Sequence, residues 1–452
     1  MALANTHPTT QTARRLPTPS AGQRPAEDFV RQYLNHLTER RRHERAGSTP
    51  GVGDKGGVDI EGRPVGSLRF RGGQTAANRA LASFNPETAR SQGDLVYPQT
   101  RRNGSALSPW IRHGLLSLRQ VWDHLEQFAP EAAAPYRQNL LLTERRRHEY
   151  ATVATTAKPI TNPPAPRLVD RPDDSTDKSM GCLELIIDEL EEDGWLPAEA
   201  RAWLADHWVA RNGKPWEVGE RWYFASLLDG ARAISRHEWM AVGRRAGQEN
   251  IGLSRWEVEE KAPGLCAACD RVFSCPVESH RPPVAVPLPR RDDPGPRPDV
   301  GWQAGPNRAP TITDASLDGV WITAESMGDH DPALAAHPDL PAIFVFDEPL
   351  LARLRLSAKR LVFLAETLAD LAQRREVEVW LGRPAEVLAE RQVAVTFTPV
   401  PGWRRLANEI DAGIIHPWPW LVRPDAPGAG DALSRVHREP HGAAQDILGK
   451  CH

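Results

Sequence analysis

Between about residues 26 and 285, apolar side chains recur at three- and four-residue spacing, most regularly in residues 109–123, 183–193, 198–212 and 217–235. That period predicts amphipathic helices packed on one another. Gly213 follows the third segment, where a helix end favours glycine. The pattern changes across residues 275–310 (CPVESHRPPVAVPLPRRDDPGPRPDVGWQAGPNRAP), whose proline density opposes helix and favours extended chain. Beyond it, short apolar runs at 319–323, 342–346, 377–381, 393–398 and 414–416 alternate with helical segments at 357–374 and 402–412. Such alternation predicts a parallel sheet covered by helices. The expected organisation is a disordered tail at 1–25, a mainly helical domain at 26–285, a linker at 286–314, a small α/β domain at 315–423 and a flexible tail at 424–452.

At 452 residues and 40% hydrophobic content the chain exceeds what one core usually organises, in keeping with two domains. No stretch approaches the roughly 20 apolar residues of a membrane helix. The opening residues (MALANTHPTTQTARRLPTPSAGQRP) also lack the apolar core of a signal peptide, so a cytoplasmic monomer without membrane contact is expected. A net charge of −3 exerts no general pull on nucleic acid, but arginine clusters locally: LTERRRHE occurs at 37–44 and again at 142–149. Two copies do not make a repeat architecture. They read as basic helical segments, in which Arg40 to Arg42 and Arg145 to Arg147 are either phosphate contacts or a solvated face.

The cysteines are Cys182, Cys266, Cys269, Cys275 and Cys451. Three of them within ten residues suggest metal or cluster ligation rather than disulfides. With Cys182 as a remote fourth ligand, the spacing suits zinc as well as an iron–sulfur cluster, and Cys182 also reads as a small buried hydrophobe.

In NGSALSPWIRHGLLSLRQVW (residues 103–122), hydroxyl side chains and backbone N–H groups precede a proline-initiated helix. This is an ordinary helix cap or a site for a pyrophosphate. Taken with GGQTAANRALASF (72–84) and MGCLELIIDELEEDGWLPAEARAWLADHWVARNGKPWEVGERWYFASLLDGARAISRHEW (180–239), it resembles the FAD-binding domain of the photolyase/cryptochrome family. The resemblance covers about residues 72–276 and implies bound FAD. Gly104, Ser105, Leu107 through its backbone and Ser108 would meet the phosphates, with Gly104 standing where the family has Thr. Arg201 and Asp229 would lie beside the flavin ring, unless they form only a salt bridge between helices. Ser235 takes the position facing flavin N5, where Asn is common.

Trp239 and Trp216 match the near and middle members of the family's electron-transfer wire, and Trp222 and Tyr223 offer another route; all four also suit a core. Cys182, Cys266, Cys269 and Cys275 resemble the ligands of its iron–sulfur bacterial branch, implying a 4Fe-4S cluster. Asn139 and Leu142 stand where the family carries a Glu and a Trp that contact a flipped pyrimidine dimer, and Ala198, Glu199 and Ala231 replace polar flavin-side residues.

The C-terminal region, with His330-Asp331-x-Ala333-Leu334, the FVFD run (344–347) and Lys359-Arg360-Leu361-x-Phe363-Leu364, resembles the family's antenna domain, which elsewhere comes first. The implied fold is therefore a helical photolyase-like domain followed by a small Rossmann-like parallel-sheet domain, in swapped order. The implied function is light-dependent electron transfer, extending to photolyase repair with UV-damaged DNA as partner. A non-repairing blue-light or redox sensor, or a degenerate scaffold, are the alternatives.

Overall fold

A computed structural model describes residues 13–38, 66–151, 180–245, 253–278, 310–312, 316–400, 403–410 and 412–423. Its strands are β1 (Arg14–Leu16), β2 (Thr311–Ile312), β3 (Gly319–Ile322), β4 (Ala342–Asp347), β5 (Val377–Gly382), β6 (Val393–Thr396) and β7 (Ile414–His416). They form one sheet in the order β1-β5-β4-β3-β6-β7-β2. The five central strands pair in parallel, and β1 and β2 close the two edges antiparallel to β5 and β7. The period of two sorts their side chains onto two layers. Val320, Ile322, Phe344, Phe346, Val379 and Leu381 enter a core continuous with the N-terminal helices. Trp321, Ile343, Val393 and Val395 face the opposite layer, where Trp403, Ala407 and Ile410 of helix Trp403–Ile410 cover them.

The five strands expected after residue 315 are present. Both flanks of that region differ from expectation. Residues 13–25, read as part of a tail, supply edge strand β1, with Leu16 buried, and the start of helix Gln23–Tyr33. That helix, expected in the helical domain, instead packs on helix Ala358–Leu371 of the sheet layer through Ala26, Phe29 and Val30. Thr311–Ile312, inside the expected linker, pairs with β7. Two- and three-residue strands are too short to carry a period, and their pairing comes from partners distant in sequence. Residues 1–12, the rest of the linker before 310 and the 424–452 tail lie outside the described residues.

The segment 109–123 breaks into Ser108–Arg112 and Leu118–Leu125, because Gly114 takes a left-handed backbone (φ 69°) and Ser117 starts the second helix with a capping box to Gln120. Segment 198–212 runs as Ala198–Asp206 and then as a π-turn, His207–Arg211, ending before Gly213 at φ 61°. Segment 217–235 is likewise two helices, Trp216–Ser226 and Arg232–Arg245, joined by a turn at 227–231. Its apolar residues Leu227 and Leu228 are buried as the helical period requires, which is why the break is hidden in the sequence.

The helices and the sheet layer meet along GGQT. Gly72 N–H donates to Glu366 Oε2 (2.7 Å), Gly73 N–H to Thr367 Oγ1 (3.0 Å) and Gln74 N–H to Asp370 Oδ2 (2.9 Å). The first N–H groups of helix Gln74–Ser83 are thus capped by side chains of helix Ala358–Leu371.

Candidate functional site

A cavity of about 2660 Å³ opens among the helices and reaches the sheet layer at Glu325, Arg353 and Trp418. Gly104, Ser105, Ser108, Arg201, Asp229 and Ser235 all line it, although they come from well-separated parts of the chain. Leu107 does not: its side chain is buried in the core, and its N–H lies 3.5 Å from Ser105 Oγ.

Four features of the wall bear on chemistry. Ala106 adopts a left-handed backbone (φ 53°) between Ser105 and Leu107, a conformation that costs a non-glycine residue about 1 kcal/mol or more and turns successive N–H groups toward one side. A Cβ added at Gly104 would meet nothing within 4 Å, so the space a threonine would fill is open. Ser108 Oγ accepts from Trp195 Nε1 (2.9 Å), and the Arg201 guanidinium lies 5.9 Å from the same indole ring.

The fourth feature is the Arg201–Asp229 pair. Arg201 Nη2 donates to Asp229 Oδ2 (2.6 Å) and its Nε to Leu196 O (2.7 Å). Burial opposes the Arg201 charge, but Asp229 beside it more than offsets this and holds the guanidinium above its ordinary pKa. Asp229 Oδ1 is buried and has no hydrogen-bond partner among the described residues. A buried carboxylate oxygen left open in a cavity wall invites a donor from a ligand.

The four aromatic candidates divide. Trp216 and Trp222 line the cavity, whereas Tyr223 and Trp239 are fully buried behind it. Tyr223 and Trp239 have ring centroids 5.6 Å apart, and Trp208 continues the series 6.4 Å beyond Trp239. Sequence reasoning overlooked Trp208, whose only signal is its place in the apolar stripe of 198–212. It also overlooked Arg112, which lines the cavity and joins helix to sheet layer by donating to Glu325 Oε1 (2.8 Å).

The cysteines converge. Cys182, Cys266, Cys269 and Cys275 line one small cavity and none of them is in a disulfide, and Gly181 and Arg271 donate backbone N–H groups to Cys269 Sγ (3.3 and 3.4 Å). Burial first, then the neighbouring thiols, pushes the Cys182 thiol up to about 12. Four such groups ionise together only beside a cation. Among the described residues, no three His, Cys, Asp or Glu side chains are arranged to hold one metal ion. Cys451 lies outside the described residues.

The basic segment at 145–147 is not a free solvated face. Arg146 donates to Glu238 Oε1 (3.2 Å), Arg147 lies over the Trp418 ring (5.5 Å), and both line the cavity with Asn139 and Leu142. The other run, Arg40 to Arg42, lies outside the described residues. No described helix is long and apolar enough to cross a membrane.

No family model matches the chain, and no curated protein matches it. Eight chains of solved structures do. One is a bacterial class III photolyase from Agrobacterium tumefaciens, similar at 20% identity and a TM-score of 0.29 over 38% of this chain and 38% of that chain. A likeness spanning little more than a third of each molecule identifies neither family nor activity.

Proposed function

We propose that the chain is an FAD-binding flavoprotein of the photolyase/cryptochrome type, working by light-dependent electron transfer. The observation that carries this reading is the meeting in one cavity of Ser105, Ser108, Arg201, Asp229 and Ser235, residues picked out by their match to flavin-contacting positions. Bound there, FAD would supply blue-light absorption and one-electron chemistry. The turn at Gly104–Ser108 would hold the pyrophosphate with its hydroxyls and N–H groups. Arg201 would favour negative charge on the ring system, and Asp229 Oδ1, otherwise without a donor, would accept a ring N–H. Tyr223, Trp239 and Trp208 form a continuous aromatic path from buried protein toward the cavity wall, suited to delivering electrons.

In the same reading Cys182, Cys266, Cys269 and Cys275 hold a 4Fe-4S cluster. Four thiols lining one small cavity suit a cluster in which each iron would take one thiolate. The cavity far exceeds the roughly 300–1000 Å³ of a small-molecule site, which leaves room for a second occupant such as a base flipped out of UV-damaged DNA.

The test is the spectrum and composition of the full chain purified anaerobically. Flavin bands at roughly 370 and 450 nm and about four iron and four sulfide per chain are expected. Protein that takes up no FAD when it is supplied overturns the flavin reading, and stoichiometric zinc without iron replaces the cluster.

A further inference from the structure

The turn at 227–231 is held at three successive residues, and one of its clamps comes from the sheet layer. His113 Nε2 lies 3.1 Å from Leu228 O, and Arg201 bonds the Asp229 carboxylate. At Gly230 two guanidinium groups meet on a single carbonyl oxygen: Arg112 Nε donates to it at 2.8 Å and Arg360 Nη2 at 2.8 Å. Those two bonds use both lone pairs of the oxygen.

Arg112 belongs to the helical part, whereas Arg360 sits in the first turn of helix Ala358–Leu371, 130 residues beyond Gly230. Arg360 is almost fully buried, its Nη1 has no hydrogen-bond partner among the described residues, and its guanidinium lies 5.1 Å from the Phe224 ring. Arg232 stacks on that ring at 4.1 Å and is paired with Glu220. A Cβ at Gly230 would come within 2.6 Å of Phe224 O and 2.9 Å of Arg360 Nη1, so the guanidinium fits against a backbone without a side chain. Burying a guanidinium with one N–H group unmatched is costly, and a hydrophobic side chain would serve packing alone at less cost.

We propose that Arg360 is a positioning residue for Asp229: the sheet layer reaches across to fix the carbonyl next to the carboxylate that faces the flavin, coupling its own docking to occupancy of the cavity. This rests on the flavin reading above. Because the coupling is reciprocal, FAD should also tighten the contact between the two parts.

The experiment compares the full-length wild type with Arg360→Met, Arg360→Lys and Asp370→Ala, the last loosening the same contact between helices and sheet away from the turn. FAD affinity is read by fluorescence titration, and the environment of the bound flavin by its visible circular dichroism and midpoint potential. Arg360→Met should weaken FAD binding about tenfold, as loss of an outer-layer partner commonly does, and lower the midpoint potential because a buried positive charge has gone. Arg360→Lys offers no planar fork, and an amine buried there beside Arg112 sheds its proton more readily than a guanidinium, so affinity should fall several-fold and the potential should lie between those of wild type and Arg360→Met. Asp370→Ala should leave the potential unchanged. If Arg360→Met does not fold, the lysine variant decides. Wild type that binds FAD, with Arg360 variants that match it in affinity and potential, overturns the proposal alone; wild type that binds no FAD overturns the flavin reading beneath it.

Discussion

At the scale of single residues, the aromatic path depends on an absence. A Cβ at Gly219 would lie 2.6 Å from Trp239 Cη2 and 2.9 Å from Trp208 Cδ1, and both indoles are fully buried and cannot step aside. Gly219→Ala should therefore destabilise the chain by about 1–3 kcal/mol, measured by urea unfolding, although alanine is the better helix former.

A second residue-scale prediction concerns pH. Burial raises the Asp331 carboxyl to about 7 despite the bonds it accepts from Leu334 N–H, Thr396 Oγ1 and Ala333 N–H, and burial with the His337 ring lowers His416 to about 4. Between pH 4 and 6.5 the folded state holds the Asp331 proton that the unfolded chain releases, so this group makes stability fall as pH rises. In the same window the unfolded chain protonates His416 while the folded state does not, so this group makes stability rise with pH. The two oppose each other. Asp331→Asn should give a steeper rise in urea midpoint from pH 4.5 to 6.5 than wild type, and His416→Asn a fall; parallel profiles would refute both assignments.

Of these residues, Asp331 could be noticed in the sequence only as part of a motif. Nothing in its neighbours announced Thr396, which bonds it from 65 positions away. Asp229 and Arg201 were legible because the whole run 180–239 carries a family-like pattern, yet the oxygen left open on Asp229 is a property of three-dimensional packing.

Among the elements, helix Gln74–Ser83 has no cap of its own: Gly73 precedes it, and its first donors are met by Asp370 and Thr367 from another helix. Asp370 also accepts from Thr75 Oγ1 (2.7 Å) and from Arg374. Asp370→Ala should cost about 1–2 kcal/mol in unfolding free energy, the usual loss on removing a cap, even though residue 370 is nearly 300 positions from the helix it caps. A loss below a few tenths would mean that water replaces the cap. The GGQTAA run was conspicuous in the sequence, but its partner was not, since an N-cap is ordinarily sought just before the helix. For the same reason helices were located well and their interruptions poorly. Hydrophobic period continues through the turn at 227–231 because its leucines are buried, so the one place where the chain leaves helix to present Asp229 was read as helix.

At the scale of the whole molecule, the two edges of the sheet come from outside the run of parallel strands, β1 from residues 14–16 ahead of the helices and β2 from 311–312 after them, so the helices and the α/β layer are not successive beads. The five parallel strands were legible from their alternating runs; the edges were not, because so few residues carry no period. That interleaving brings Arg147, Asn139 and Leu142 of the long helix Pro130–Ala151 to the same cavity as Trp418 after β7. Under the proposed reading, Asn139 and Leu142 put an amide and an alkyl group in this wall where a dimer-repairing photolyase would carry a carboxylic acid and an indole. A stacking indole contributes about 1–3 kcal/mol per base, so a wall without one should bind a dimer roughly ten- to a hundredfold more weakly than a wall that has it. Photoreduction makes no demand on those positions, since Tyr223, Trp239, Trp208, Trp216 and Trp222 lie elsewhere in or behind the wall. The two activities should come apart when full-length protein is illuminated with a reductant and dimer-containing single-stranded DNA: the visible flavin band bleaches while the dimers persist. Dimer loss at a rate matching the bleaching would show that this cavity recognises the lesion through other residues, with Arg146 and Arg147 the first to replace.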